Sequence, residues 1–260
     1  MTRRRGAPWL LLALLGMLSG LTAAAGEVAE AAGEGPSPRI VGGVEVSSVD
    51  RYPFVVALIL SREPDEYRGL SCGGSLIGPE WVLTAAHCVV GGADRLDVLV
   101  GRIDLADDAQ GERIGVAAVH LHPDFDPVTL ANDVGLVRLE RAASSGSPIR
   151  RATTADAGSY AAGVLATVVG WGSTLGLPEG TPELPRVLRE VEVPIVSDAD
   201  CRSIYPDAFF PPGMICAGYQ DLDGKDACSG DSGGPLFVGD LQVGIVSGGF
   251  GCGEAGQPGL

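Results

Sequence analysis

The sequence is poor in basic residues and in histidine, and both shortages exclude classes of protein. Its 18 lysines and arginines are outnumbered by 33 acidic residues, which gives a formal net charge of -15 at pH 7. Such a chain repels nucleic acid and anionic membranes, so we expect a soluble protein that binds neither. With three histidines and no Cys-x-x-Cys pair, the usual ligand pattern of structural zinc is missing as well.

Long apolar runs and internal repeats are also lacking. The apolar stretch at about 9–21 is shorter than the ~20 residues that span a bilayer, although a membrane anchor stays open as the alternative. Three arginines precede this stretch and three alanines follow it at 23–25, so residues 1–25 are typical of a secretory signal peptide. No periodicity near 34 residues is present, which disfavours a solenoid.

The rest of the chain changes in composition near residue 40. Residues 26–39 contain hardly any bulky apolar group, which predicts a flexible pro-segment. From residue 53 onward, short apolar or alternating segments are separated by Gly, Pro and Asp, the spacing of an all-β protein. The predicted strands are 54–60, 75–77, 81–84, 96–100, 114–120, 134–139, 163–169, 187–193, 235–238 and 243–247.

Two further segments organise this all-β region. Residues 142–148 have the composition of a linker and separate two halves. The single helix predicted from residue 53 onward is 198–205, with Ser197 as its N-cap.

The stretch 224–235, Gly-Lys-Asp-Ala-Cys-Ser-Gly-Asp-Ser-Gly-Gly-Pro, crowds glycines and two acids around Ser232. Because glycine has no side chain, backbone N–H groups can approach a ligand closely there. A serine held among such groups can act as a nucleophile beside an anion-binding hole. The stretch therefore indicates acyl transfer.

A serine hydroxyl is a weak nucleophile and needs a base, usually histidine, to take its proton. His87, in Leu-Thr-Ala-Ala-His-Cys, is the candidate base. His120 and His122 alternate around Leu121 and would share one face of a strand, where a metal site is the alternative reading. No third ligand is evident beside that pair, so we expect no metal.

An acid must in turn fix the tautomer of the base. Asp133 is the candidate, because the polar pair Asn132-Asp133 leads directly into an apolar strand. The residues alone do not exclude Asp124 or Asp126, which lie in a proline-bounded loop.

These segments resemble the chymotrypsin-like (trypsin-fold) serine peptidases over essentially all of 40–260. The motifs that carry the resemblance lie at 83–88, 129–136 and 230–235. The resemblance implies two six-stranded antiparallel barrels, about 40–141 and about 149–260, with the active site in the cleft between them. It implies a Ser-His-Asp mechanism through the residues named above, with the N–H groups of Gly230 and Ser232 as oxyanion hole.

The resemblance extends to activation. Residues 39–43, Arg-Ile-Val-Gly-Gly, are similar to the junction at which the family is cleaved. Cleavage after Arg39 would free the amine of Ile40 to pair with the buried carboxylate of Asp231 and order the glycine-rich loop. The alternative is that this segment simply begins a strand.

Substrate choice is implied in the same way. Asp226 lies where the family places the floor of its primary specificity pocket, and Ser247, Gly249 and Gly259 match residues along that pocket. An aspartate there attracts a cationic side chain, so cleavage after Arg or Lys is expected. The alternative is a solvated loop acid.

Six cysteines in a secreted chain favour three disulfides, although spacing alone allows fifteen pairings. The resemblance implies one particular set, namely Cys72 with Cys88, Cys201 with Cys216, and Cys228 with Cys252.

The chain departs from the family at three places. Gly248 stands where relatives usually carry tryptophan, so we expect weak binding of the substrate residues before the scissile bond. The chain stops at Leu260, about twenty residues earlier than relatives, so we expect a fragment or an open second barrel. Oxygen ligands at 101–108 and Glu112 leave calcium as an alternative, although Arg102 stands where a ligand is expected.

Together these features predict a secreted, zymogen-activated serine endopeptidase of trypsin-like specificity. Its expected partners are protein or peptide substrates with Arg or Lys at the cleavage site, and protein inhibitors. We expect a monomer without a cofactor. The alternatives are a non-catalytic homologue that binds a partner through the same fold, and an inactive fragment.

Overall fold

The structure, a computed structural model, describes residues 41–174, 184–209, 213–221 and 224–260. The predicted signal peptide at 1–25, the pro-segment at 26–39 and the activation junction at Arg39 and Ile40 lie outside these residues. Within the described ranges, no helix has the length and apolar character needed to cross a membrane.

Strands dominate the described residues, as the spacing of apolar segments predicts. In chain order they are β1 (Val44–Glu45), β2 (Val55–Leu60), β3 (Leu70–Gly78), β4 (Trp81–Thr84), β5 (Leu96–Val100), β6 (Glu112–Leu121), β7 (Gly135–Leu139), β8 (Arg150–Arg151), β9 (Leu165–Gly170), β10 (Arg189–Val196), β11 (Cys216–Ala217), β12 (Pro235–Val238) and β13 (Leu241–Ile245). The all-β fold class is confirmed.

Strands β2 to β7 form a closed antiparallel barrel in the order β2-β3-β4-β7-β6-β5. On β5, Leu96, Val98 and Val100 point into the barrel core, and Leu99 points to the opposite face. Because side chains alternate across a strand, this pattern shows that β5 is buried on both faces. Leu99 on the outer face belongs to the same core cluster as Trp171 of the second half, which explains why apolar residues occupy both faces of this strand.

The second half forms an open sheet rather than a closed barrel within the described residues. Its order is β1-β10-β9-β12-β13-β8, with β11 also paired to β10. Strand β1 therefore belongs to the second sheet, although it precedes the first barrel in the chain. Strand β8 pairs with β13 in parallel, which differs from the antiparallel arrangement expected for this half.

Helices are few and short. The predicted helix is present as α3 (Asp198–Ile204), and the Ser197 side chain accepts a hydrogen bond from the N–H of Asp200, as an N-cap does. Two single-turn helices, α1 (Glu66–Gly69) and α2 (Ala86–Val89), were not expected from the sequence. The 3-10 helices at Val49–Arg51, Ala93–Arg95 and Thr154–Tyr160 were not expected either.

The two halves meet where the glycine-rich stretch contacts the barrel. The Gly73 N–H donates to the Ser232 carbonyl oxygen at 2.7 Å. Gly233 has a φ of 80°, and a Cβ atom there would collide with Thr84 Oγ1 and the Gly73 carbonyl oxygen. Glycine at this position therefore lets the loop that carries Ser232 lie directly on β3 and β4.

Candidate active site

The described cysteines form three disulfides, and none is free. The pairs are Cys72 with Cys88, Cys201 with Cys216, and Cys228 with Cys252, as the resemblance implies. The first pair joins β3 to α2, and the third ties the Ser232 loop to the segment that follows β13.

His87 and Asp133 meet because β4 pairs with β7, with Thr84 opposite Gly135. Asp133 Oδ1 accepts the His87 backbone N–H at 2.9 Å, and Asp133 Oδ2 lies 2.7 Å from His87 Nδ1. A carboxylate at Nδ1 holds the proton on that nitrogen, so Nε2 keeps its lone pair. The sequence favoured this pair, and the structure brings it together.

A third donor completes the environment of Asp133. Ser247 Oγ donates to Asp133 Oδ2 at 2.6 Å. Burial works to raise the pKa of Asp133, but the hydrogen bonds from His87 and Ser247 outweigh it and hold that pKa below its ordinary value. The carboxylate is therefore ionised at neutral pH and can stabilise a protonated imidazole.

Ser232 lies between the barrel and the segment after β13 that bears Ser247. The Gly233 N–H donates to the Val246 carbonyl oxygen at 2.7 Å. Ser247, the residue after Val246, is therefore held close to the Ser232 loop. Among the described residues, no hydrogen bond joins Ser232 Oγ to His87 Nε2. Such catalytic hydrogen bonds are often long without substrate and tighten in the complex.

The predicted oxyanion donors are available to a ligand. Gly230 has a φ of 105°, and a Cβ atom there would lie 3.0 Å from Gly172 Cα, so only glycine fits without strain. Within the described ranges, neither the Gly230 nor the Ser232 N–H donates to a protein acceptor. Two free donors beside a serine hydroxyl can stabilise developing negative charge.

Asp231, between these donors, is fully buried. Its oxygens accept the N–H groups of Gly172 at 2.7 Å and Cys228 at 2.9 Å, and no described basic side chain pairs with it. Burial, with a smaller contribution from the charge of Asp226, raises its pKa to about 7 against the two N–H donors. A cationic partner would stabilise the ionised form of a buried carboxyl in this state.

The segment that follows Ile40 lies beside this loop. The Val41 carbonyl oxygen accepts the Asp226 N–H at 3.2 Å, and the Val41 side chain packs with Cys228 and Cys252. Ile40 itself is outside the described residues, so its pairing with Asp231 stays a prediction.

A pocket of about 190 Å³ opens beside Ser232 and is lined by Asp226, Gly249 and Gly259. Asp226 Oδ2 accepts the Gly253 N–H at 3.0 Å. Burial raises the pKa of Asp226 to about 6, against the N–H groups of Gly253 and Ala227. A Cβ atom at Gly259 would lie 3.2 Å from Asp226 Oδ1, so glycine there keeps the acid accessible from the pocket.

Gly248 lines this pocket, and Ser247 immediately precedes it in the chain. Ser247 is directed to Asp133 rather than into the pocket, while Gly248 is one of the lining residues. Both backbone N–H groups donate to the Leu260 carbonyl oxygen, at 2.9 and 3.2 Å.

The alternative acids and histidines lie apart from this arrangement. The His120 ring packs against Trp81 at a tilt of 37°, and His122 Nδ1 accepts the Asp124 N–H at 3.2 Å. Asp126 Oδ1 accepts the Val128 N–H at 2.8 Å in the same exposed loop. In the described ranges, the one cluster with metal-ligand spacing is Cys72, His87 and Cys88, whose thiols are already joined in a disulfide.

Sequence reasoning missed two contributors. Gly172 donates its N–H to Asp231 and lies against Gly230, but the sequence around Gly172 contains no motif that indicates this role. The hydrogen bond from Ser247 to Asp133 joins residues 114 positions apart, and only the fold brings them together.

Comparison with known proteins agrees with this geometry. The family model described as Trypsin matches residues 40–260. Trypsin 5G1 of Aedes aegypti is 39% identical over 228 residues, covering 86% of this chain and 80% of the relative. Serine protease 56 of Homo sapiens is 37% identical over 230 residues, covering 85% of this chain but 36% of that longer protein.

A solved structure shows the same fold. Neuropsin, a serine protease expressed in the limbic system of mouse brain, matches with a TM-score of 0.71 and 32% identity, covering 84% of this chain and 91% of neuropsin. The family match spans both halves of the fold and all the candidate catalytic residues. The chain therefore belongs to the trypsin family of serine proteases.

Proposed function

We propose that this chain is a secreted serine endopeptidase, made as a zymogen, that hydrolyses peptide bonds after Arg or Lys. The observation that carries the proposal is the His87–Asp133 pair beside Ser232, with two unused N–H donors at the same point. Binding alone does not require this combination, which favours an enzyme over a non-catalytic homologue.

In the proposed mechanism, His87 Nε2 takes the proton of Ser232 as Oγ attacks the scissile carbonyl carbon. Asp133 keeps the imidazole in the required tautomer and stabilises its positive charge. The N–H groups of Gly230 and Ser232 bind the oxygen that becomes negative, and His87 then returns the proton to the leaving amine. Water repeats the sequence to release the acyl group.

Specificity follows from Asp226. Its carboxyl is buried in the pocket beside Ser232, and among the described residues no basic side chain forms an ion pair with it. A guanidinium or ammonium group from substrate would supply the missing countercharge and favour ionisation of Asp226. Protein or peptide substrates with Arg or Lys before the scissile bond are therefore the proposed ligands.

Activation follows from Asp231. The buried carboxyl lacks a described cationic partner, and Val41 packs against Cys228, whose N–H donates to Asp231. We propose that cleavage after Arg39 delivers the Ile40 amine to Asp231. Because Arg39 fits the proposed specificity, self-activation is part of this proposal, as are a monomeric state, absence of a cofactor and control by protein inhibitors.

A covalent phosphonate label tests the enzyme assignment. Cleaved, folded protein should be labelled on Ser232, and the His87→Ala variant should lose the label because the serine is no longer activated. Mass spectrometry of the labelled peptide identifies the site. A folded and correctly cleaved sample that resists labelling would show that the non-catalytic reading is right.

Replacing the pocket acid tests the specificity separately. Asp226→Asn removes the charge and should lower kcat/KM for Arg and Lys peptides by about 10² to 10³-fold. Phosphonate labelling of Ser232 should persist, because the catalytic residues are unchanged. A peptide-library cleavage profile measures the change, and an unaltered preference for Arg or Lys would contradict the assignment of Asp226.

A further inference from the structure

The turn between β5 and β6 combines several acids with one buried arginine, and the proposed catalysis uses none of them. This segment, residues 101–111, is called the acidic loop below and contains Asp104, Asp107 and Asp108. Arg102 lies at its start, with 4% of its side chain exposed. A buried guanidinium needs partners, so its contacts reveal what holds the loop.

Arg102 is held by three groups from two parts of the chain. Its Nε donates to the Gln110 carbonyl oxygen at 2.8 Å, which closes the loop on itself. Its Nη1 forms an ion pair with Glu66 of α1 and lies 3.6 Å from Asp108 Oδ1. The guanidinium therefore occupies the space between the acidic loop and α1.

Glu66 in turn is shared between two arginines. Its Oε1 lies 3.9 Å from Arg113 Nη1, and Arg113 Nε lies 2.7 Å from Asp97 Oδ2. Charges thus alternate in sign from the acidic loop through α1 to β6 and β5. Because each charge has opposite neighbours, the buried groups compensate one another without an added ion.

Calcium does not fit this donor set. Calcium takes about six to eight oxygen ligands. Here Asp107 Oδ1 and Oδ2 accept from Ala109 N and Gln110 Nε2, at 3.1 and 2.8 Å, and Asp104 Oδ1 accepts from Ala106 N at 2.9 Å. A positive guanidinium also stands among these acids, so a second cation would be repelled.

Glu112, the remaining acid, is also committed elsewhere. Its oxygens pair with Arg141 and accept the N–H groups of Ser144 and Ser145 at 2.6 and 2.7 Å. Glu112 therefore joins the barrel to the linker rather than contributing to an ion site.

We propose that the Arg102 guanidinium is the built-in countercation of the acidic loop and that the loop is stable without a divalent metal. The loop also supports the second half of the molecule. Ile103 O accepts from Leu188 N at 2.7 Å and from Trp171 Nε1 at 3.0 Å, and the next residue, Gly172, donates to Asp231. The internal cation therefore braces the segment behind the Ser232 loop.

Unfolding of the unaltered loop tests the proposal directly. The full chain carrying Ser232→Ala, which prevents self-digestion, is heated in calcium chloride, in magnesium chloride and in EDTA. We expect the same Tm in all three, and no heat of calcium binding by titration calorimetry. A rise in Tm specific to calcium, or stoichiometric calcium binding, would overturn the proposal.

Variants of the ion pair test the role of Arg102. Arg102→Gln leaves Glu66 buried without that partner and should lower Tm by about 5 to 15 °C. If that variant does not fold, Glu66→Gln tests the same pair from the other side and should also lower Tm. Arg68→Gln, on the same helix with 77% of its side chain exposed, is the matched control and should change Tm little. An Arg102→Gln protein as stable as the control would contradict the proposal.

Discussion

Two carboxylates of the first barrel, Asp133 and Glu112, and two of the second half, Asp226 and Asp231, have pKa values shifted in opposite directions. In the barrel, hydrogen bonds hold the pKa of Asp133 below its ordinary value, and that of Glu112 falls to about 2. In the second half, burial raises the pKa of Asp226 to about 6 and that of Asp231 to about 7. Side chains of the folded chain thus hold the two barrel carboxylates ionised, whereas among the described residues no basic side chain forms an ion pair with Asp226 or Asp231.

The hydrogen-bond partners of these acids differ in the same way. Asp133 has His87 and Ser247 within hydrogen-bond distance in the folded chain. Asp226 and Asp231 accept hydrogen bonds from backbone N–H groups only, among the described residues. In the proposed function, the partner of Asp231 is the new amino terminus and that of Asp226 is the substrate.

The largest expected effect concerns the contact between the two halves. Ser232→Ala and His87→Ala should each lower kcat by a factor on the order of 10⁴ to 10⁶, because neither residue works without the other. The double variant should be no worse than the worse single variant. Peptide hydrolysis by the three proteins, cleaved at Arg39, measures this coupling.

If the factors by which the two single variants lower kcat multiply in the double variant, then Ser232 and His87 contribute to catalysis independently. Circular dichroism of each variant serves as the control, since both substitutions remove surface-accessible groups and should leave the fold unchanged.

The next effect is the dependence of stability on pH in the uncleaved chain. A carboxyl whose pKa is raised by folding keeps its proton while the unfolded chain has lost it, so stability falls as pH rises from about 4 to 7. A shift of this size in Asp231 corresponds to on the order of 4 kcal/mol. Asp133 acts in the opposite direction, since its stabilisation is lost only as pH falls below about 4.

Asp231→Asn should flatten that pH dependence. Urea unfolding of the Ser232→Ala chain at pH 4.5 and 7.5 measures it, with and without the second substitution. At pH 7.5 Asp231→Asn should raise the free energy of unfolding by about 1 to 3 kcal/mol. The increase is smaller than the full effect of the pKa shift, because the new amide nitrogen faces a backbone N–H. If the free energy of unfolding falls by the same amount from pH 4.5 to 7.5 with and without Asp231→Asn, then Asp231 does not cause the pH dependence.

The same contrast explains what could be predicted from the sequence. Strands β4, β5 and β12 have their predicted bounds, because each is a short apolar run between turn residues. The two-residue strands β1, β8 and β11 were missed, since two residues carry no periodicity. The arrangement of the second sheet depends on such short pairings and could not be derived.

The candidate site divides in a similar way. Residues within motifs, such as His87, Asp133 and Ser232, were identifiable because their local sequences are distinctive. Gly172 and the contact of Ser247 with Asp133 depend on tertiary structure and have no local signal. The pairing of Arg102 with Glu66 likewise joins residues 36 positions apart, and Glu66 lies on a helix that is too short to predict.

The smallest expected dependence of stability on pH is that of Glu112, in the barrel. Its carboxylate is 13% exposed and pairs with Arg141. Burial works to raise its pKa, but the hydrogen bonds from Arg141, Ser145 and Ser144 lower it to about 2. Because the folded pKa lies below the unfolded value, its stabilisation is present above about pH 4.5 and is lost as pH falls towards 2.

Glu112→Gln should therefore destabilise the chain by about 1 to 3 kcal/mol at pH 7, after allowance for solvent screening. The expected sign is opposite to that of Asp231→Asn, which makes the two variants a direct test of the contrast between the halves. Glu192→Gln, on an exposed position of β10, is the control and should change the free energy of unfolding by less than about 0.5 kcal/mol. The Glu112 carboxylate accepts four hydrogen bonds, and a neutral amide cannot accept all of them equally well. If Glu112→Gln is as stable as this control, those bonds contribute nothing to stability, and the proposed role of the barrel carboxylates is wrong.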